Sequence, residues 1–114
     1  MTNVTATKNV LADYFASLAP YISLHTNDPG QNGANEVSGG SPAYARKQTT
    51  WAPATNGLAI GSEVTFDVPP NTTITHVGFW SAATGGVFRD SVDSADISFT
   101  PQGQVKVTPK HQEN

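Results

Sequence analysis

Apolar and polar residues alternate along most of this chain, and the period of the alternation changes once. Between Val4 and Leu18, the apolar residues Leu11, Tyr14, Phe15 and Leu18 recur at helical spacing, with Thr5 or Thr7 placed to cap the start. Pro20 disfavours helix at Ala19 and ends the segment. The spacing predicts a helix over residues 4–18, laid on a sheet by its apolar face or reaching a neighbouring subunit as an arm. From there the period is two. Tyr21–Thr26 sets Ile22 and Leu24 on one face and Tyr21, Ser23 and His25 on the other; Ala43–Trp51 is extended, with Trp51 anchoring its end. Leu58–Ile60 and Glu63–Val68 read as short strands, the second with Val64, Phe66 and Val68 on its dry face.

The stretch Thr73–Phe88 is the centre of this scheme. Ile74, His76, Gly78 and Trp80 fall on one face of a strand and Thr75, Val77 and Phe79 on the other, so both faces carry bulky groups. Such a strand belongs inside a sheet or between two layers. Ser81–Gly86 forms a turn, Gly85 and Gly86 supplying left-handed backbone, and Val87-Phe88 returns antiparallel. Beyond it the pattern weakens. Arg89–Ala95 is polar, Ile97, Phe99, Val105 and Val107 mark two last strands, and residues 110–114 read as a solvated tail. Strands recurring about every 8–12 residues with turn signals between them predict a mainly β fold: a small antiparallel β-sandwich or open barrel with one N-terminal α-helix, forming a single domain over residues 1–114.

Residues 27–42 interrupt the strands with a long loop rich in Asp, Pro, Gly and Asn. Loops of this length without structure of their own tend to be functional or ordered by internal contacts. The candidate interface is therefore Asn27, Asp28, Gln31, Asn32, Asn35 and Glu36 from the loop, with Tyr44 and Arg46 just after it.

Composition narrows the function. Apolar content is 37% and charged content only 13%, the difference being made up by Thr, Ser, Asn, Gln and Gly as in particle-surface β domains. A net charge of −3, with no basic cluster beyond Arg46-Lys47, argues against nucleic acid as a partner. The chain has no cysteine, so neither disulfides nor thiolate metal sites hold it. It has neither a signal-peptide pattern nor an apolar run long enough for a membrane span, which sets the expectation of synthesis in a host cytoplasm.

Catalytic and metal chemistry find little support. His25, His76 and His111 have no second ligand type at metal spacing. Asp28, Asn32 and Glu36 resemble a calcium loop, but Gly30 occupies its third position and Gly39 its twelfth. No G-x-S-x-G elbow is present. The reading is of a non-enzymatic protein without cofactor or metal.

Leu24-His25-Thr26-Asn27-Asp28-Pro29-Gly30, Gly33–Gly40, Tyr44-Ala45-Arg46, and His76–Trp80 followed by Ala82–Gly86 together resemble a family of small proteins from phages and prophages of actinobacteria, which carry the name phage tail fibre protein. Family members continue after the Gly-Gly hairpin with an apolar strand, whereas Arg89–Asp93 is polar here. The resemblance implies a structural protein of a tailed phage virion, of tail fibre or minor tail type, on the particle surface. Its partners would be other virion proteins of the tail or the major capsid shell. Because the chain has no fibre-forming repeat, capsid decoration is the alternative. A carbohydrate-binding module that recognises a host glycan through Tyr21, Tyr44 and the loop is a further one. Unguarded strand edges predict a homo-oligomer, a trimer in preference to a dimer.

Overall fold

A computed structural model describes residues 4–113 of the chain. Helix α1 spans Thr5–Leu18; the residue at its N-cap is Val4, in extended backbone, and no side chain caps it. The threonines expected to cap it lie inside the helix instead. The buried stripe also differs from the expectation. Ala12 and Ala16 are buried and Phe15 half-buried, while Val10, Leu11 and Tyr14 are exposed. Small alanines let the helix backbone approach the strands beneath it, and Phe15 alone reaches inward, its ring edge-on to Phe79 at 5.7 Å and to Trp51 at 6.5 Å. Trp51 packs against the core at the end of its extended stretch, as expected, and its indole N–H donates to the Ala19 carbonyl at 2.9 Å, which also ties down the helix end.

Among the described residues eight strands follow: β1 Tyr21–His25, β2 Lys47–Gln48, β3 Leu58–Ile60, β4 Val64–Val68, β5 Thr72–Trp80, β6 Phe88–Phe99, β7 Gly103–Val107 and β8 Lys110–Gln112. One antiparallel sheet has the order β2-β1-β5-β6, and two further pairs are β3-β8 and β4-β7. The architecture is mainly β, an open two-layered arrangement with one helix, as the alternation predicted. β5 is interior, with β1 on one side and β6 on the other. Its inner face, with Ile22 and Leu24 of β1, packs on Val64, Phe66 and Val68 of β4, and Val37 from the long loop closes the same core.

Four expectations are corrected. The extended stretch 43–51 keeps ladder pairing only at Lys47–Gln48, with isolated bridges at Ala43 and Trp51, because Tyr44 and Arg46 hold side-chain contacts with Glu36 rather than a neighbouring strand. Ile74 joins Val77 and Phe79 in the core instead of facing away from them, since a register shift between Ile74 and His76 breaks strict alternation. The polar segment after the hairpin is not a break between strands but part of β6, one continuous strand paired to β5 from Trp80 back to Thr72. Residues 110–112, read as tail, form β8 against β3, and the His111 ring stacks on Phe15 at 3.7 Å between centroids. Asn114 lies outside the described residues.

Candidate functional site

The outer face of the main sheet explains why β5 is apolar on both sides. There the long loop folds back over Ser23, His25, Gly78 and Trp80, and makes a second, thin layer. Pro29 and Gly33 are buried beneath it, and Phe88 closes its end, 5.1 Å from Trp80 and 6.0 Å from His25 between centroids. Space is tight at two glycines. A Cβ on Gly33, whose φ is +71°, would strike the Trp80 ring, and one on Gly78 would strike Ser23 Oγ and the His25 ring. Glycine at these two positions is what permits the loop and β1 to close on the sheet.

A hydrogen-bond chain runs through this layer. His25 Nδ1 is 2.7 Å from the Ala34 carbonyl, which only accepts, so Nδ1 carries the proton. Nε2 therefore accepts from the Ser23 hydroxyl at 2.7 Å, and Ser23 Oγ accepts the Trp80 indole N–H at 3.0 Å. Ser23 and His25 are wholly buried, so the pair is structural: it joins β1, β5 and the loop, and no substrate reaches it. Burial is the main force holding the His25 pKa below its ordinary 6.5, reinforced by His76 and Arg46 and opposed by the Ala34 carbonyl and Glu36. Below pH 6.5 the unfolded chain therefore binds more protons than the folded one at this site. The contribution is intact above that pH and is lost as pH falls through the folded-state value. Urea midpoints measured from pH 7.5 down to 5 are expected to drop more in the wild type than in His25→Asn, which has no imidazole to titrate; parallel curves would contradict this account.

Glu36 and Arg46 meet at the mouth of the layer. The guanidinium donates from Nε to Glu36 Oε2 and from Nη2 to Oε1, both at 2.9 Å, a two-pronged pair. Nη1 donates to the Ala82 carbonyl at 3.0 Å and the Gly85 carbonyl at 2.9 Å, which fixes the β5–β6 turn. The guanidinium carbon lies 3.6 Å from the Trp80 ring centroid, a cation–π contact. Tyr44 completes the clamp: its hydroxyl donates to Glu36 Oε2 at 2.8 Å and accepts the Leu24 N–H at 3.0 Å. Burial, together with the negative Glu36, pushes the Tyr44 phenol far above its usual range.

The structure thus divides the eight sequence candidates in two. Glu36, Tyr44 and Arg46 come together, and their polar atoms are engaged within the chain. Tyr44 also stacks on Phe66, its ring parallel to within 13°. Asn27, Asp28, Gln31, Asn32 and Asn35 are exposed on the loop. Asp28 Oδ1 accepts the Gly30 N–H, Asn35 Nδ2 donates to the Asp28 carbonyl, and the Ala34 N–H bonds the Pro29 carbonyl, so these residues hold the loop in shape. The buried chain Trp80–Ser23–His25 was missed by sequence reasoning. Its signal was the alternation that sets Ser23 and His25 on one face of β1, matched by a glycine and a tryptophan two residues apart on β5.

These elements have a counterpart among known families. The profile described as Podophage GP4 fiber I protein gp80 matches residues 4–107, from the N-cap of α1 to the end of β7. The chain belongs to this phage fibre family. The match includes the whole loop, the clamp and both strands of the β5–β6 hairpin, and ends before β8. Membership makes the protein a structural, virion-associated component of the fibre type. Searches of curated proteins and of solved structures found no match to the chain.

Proposed function

We propose that this fibre-family protein is displayed on the outside of a phage particle, as a non-catalytic tail component, and docks on another virion protein through the loop 27–42. The observation that carries this reading is a long surface loop held rigid from within. His25 and Arg46 anchor it from beneath, and its own Asn and Asp side chains brace its turns, so Gln31 and Asn32 stand outward on a fixed backbone. A pre-ordered loop loses little further entropy on docking, which is the main cost of binding through a flexible one. Fibre-family membership favours a tail position over capsid decoration.

The test has two arms on purified virions. Quantitative densitometry is expected to find a few copies per particle, in line with a tail component, where a copy number close to that of the major capsid protein would indicate decoration. The double variant Gln31→Ala/Asn32→Ala is expected to keep its melting temperature and to enter particles several-fold less well. Wild-type incorporation would remove the loop from the interface.

A further inference from the structure

The chain holds two Asn-Gly steps, Asn32-Gly33 in the long loop and Asn56-Gly57 in the turn that enters β3. Asparagine followed by glycine is the step at which a protein most readily modifies itself in water. The glycine nitrogen attacks the carbonyl carbon of the asparagine side chain, the amide nitrogen leaves as ammonia, and a succinimide ring closes. Water then opens the ring at either carbonyl and leaves aspartate or isoaspartate. Glycine speeds the closure because it has no Cβ in the way. The reaction needs no partner beyond water, but it does need the glycine nitrogen free to approach the side chain.

Access does not separate the two steps, since both asparagines are exposed and both glycines buried. Hydrogen bonding does. Asn56 and Gly57 are the central pair of a turn closed by two backbone bonds between Thr55 and Leu58, at 3.0 and 2.9 Å, with φ of 53° and 78°. The Gly57 N–H is taken up by Asn9 Oδ1 of helix α1 at 2.8 Å. The Asn56 carbonyl accepts from Gln112 Nε2 and the Gly57 carbonyl from the Glu113 N–H. Helix and C-terminal segment therefore hold this turn from both sides. In the long loop the braces stop short of the reactive step. Gly30 is bonded to Asp28 and Ala34 to Pro29. Between them, among the described residues, neither the Asn32 side chain nor the Gly33 N–H has a hydrogen-bond partner.

We infer that Asn32 is a site of spontaneous deamidation in the folded protein, and that Asn56, in the same dipeptide, is protected by its turn and by Asn9. The two products act differently on the loop. Aspartate leaves the backbone as it is and adds a negative charge at the loop surface. Isoaspartate routes the chain through the former side chain, which lengthens the backbone by one carbon just before Gly33. There not even a Cβ fits beside the Trp80 ring, so the isoaspartyl form displaces Gly33 from its seat. The inference does not rest on the virion placement proposed above, since it concerns the isolated chain.

The test incubates the purified chain at mildly alkaline pH and maps it by mass spectrometry. Trypsin, cutting at Lys8, Arg46, Lys47 and Arg89, puts the two sites on separate peptides. Asn32 is expected to convert at least about fivefold faster than Asn56, the factor contributed by one hydrogen bond that must break first. In urea, with the turn and the Asn9 contact undone, the two rates should agree. Asn9→Ala should raise the Asn56 rate in the folded chain and leave that of Asn32 unchanged. Equal rates in the folded chain, a contrast that persists in urea, an Asn56 rate indifferent to Asn9→Ala, or an intact Asn32 once the unfolded chain has fully converted would each overturn the inference.

Discussion

Trp80→Ala is expected to lower the stability of the domain by about 3–5 kcal/mol, as for other buried aromatic truncations. For a protein whose total stability is about 5–15 kcal/mol, that brings it close to unfolding. The size follows from how many elements the indole joins. It is 8% exposed, donates to Ser23, lies under the Arg46 guanidinium, meets Phe88 edge-on and fills the space left by Gly33. Truncation leaves a cavity between sheet and loop, an unpaired Ser23 lone pair and a cation without its aromatic face. Urea denaturation followed by circular dichroism checks the prediction. A loss under about 1 kcal/mol would show that the loop layer holds without its central ring.

Arg46→Ala is the second large effect, expected at about 3 kcal/mol. The Arg46 side chain is 9% exposed and that of Glu36 22%, so removing the cation leaves a half-buried carboxylate facing the Tyr44 hydroxyl alone. It also releases the Ala82 and Gly85 carbonyls that hold the hairpin turn. Arg46→Lys is expected to recover little of the loss. One ammonium cannot reach both Glu36 oxygens and both carbonyls at once, nor does it stack flat on the indole as a guanidinium does. Urea midpoints give the energies, and limited proteolysis reports where the structure loosens: cleavage should rise in the turn 81–86. A lysine variant as stable as the wild type would show that charge alone, without the planar fork, suffices at this position.

Much of the fold was legible because burial leaves a period in the sequence. β4 buries alternate residues and β1 follows its predicted span; the hairpin turn is marked by two glycines that do adopt positive φ. The double-sided character of β5 correctly placed it inside the sheet. Its mirror image is β6. As an edge strand it has half-buried rings only at its two ends, Phe88 and Phe99, and no fully buried residue between them, so no hydrophobic period distinguishes its middle from a loop. β8 has the same problem in three residues, and its pairing depends on β3, some fifty residues earlier in the chain. The helix misled in another way: of its large apolar residues at helical spacing, Leu11 and Tyr14 face outward, while Ala12 and Ala16, weak signals in any pattern, make the contact together with Phe15.

For the candidate site the division is equally physical. The loop 27–42 announced itself through length and turn residues, and its exposed Asn, Asp and Gln side chains follow from composition. Composition and spacing do not show that Glu36, Tyr44 and Arg46 form a clamp, because the third surface of that clamp is Trp80 on another strand. Nor do they show that the loop covers a second apolar face, since covering is a relation between segments far apart in the chain.

By itself, then, the sequence determined what local physics can encode: the period of each buried strand, the turns that need glycine, the helix stopped by Pro20, and the run of family motifs from β1 to the hairpin. The tertiary structure alone decided which surfaces those elements share. It placed His25 against Ala34 and Ser23, turned Arg46 onto Trp80, and left β6 as an open edge. Periodicity records whether a residue is buried, and only the folded chain determines against what.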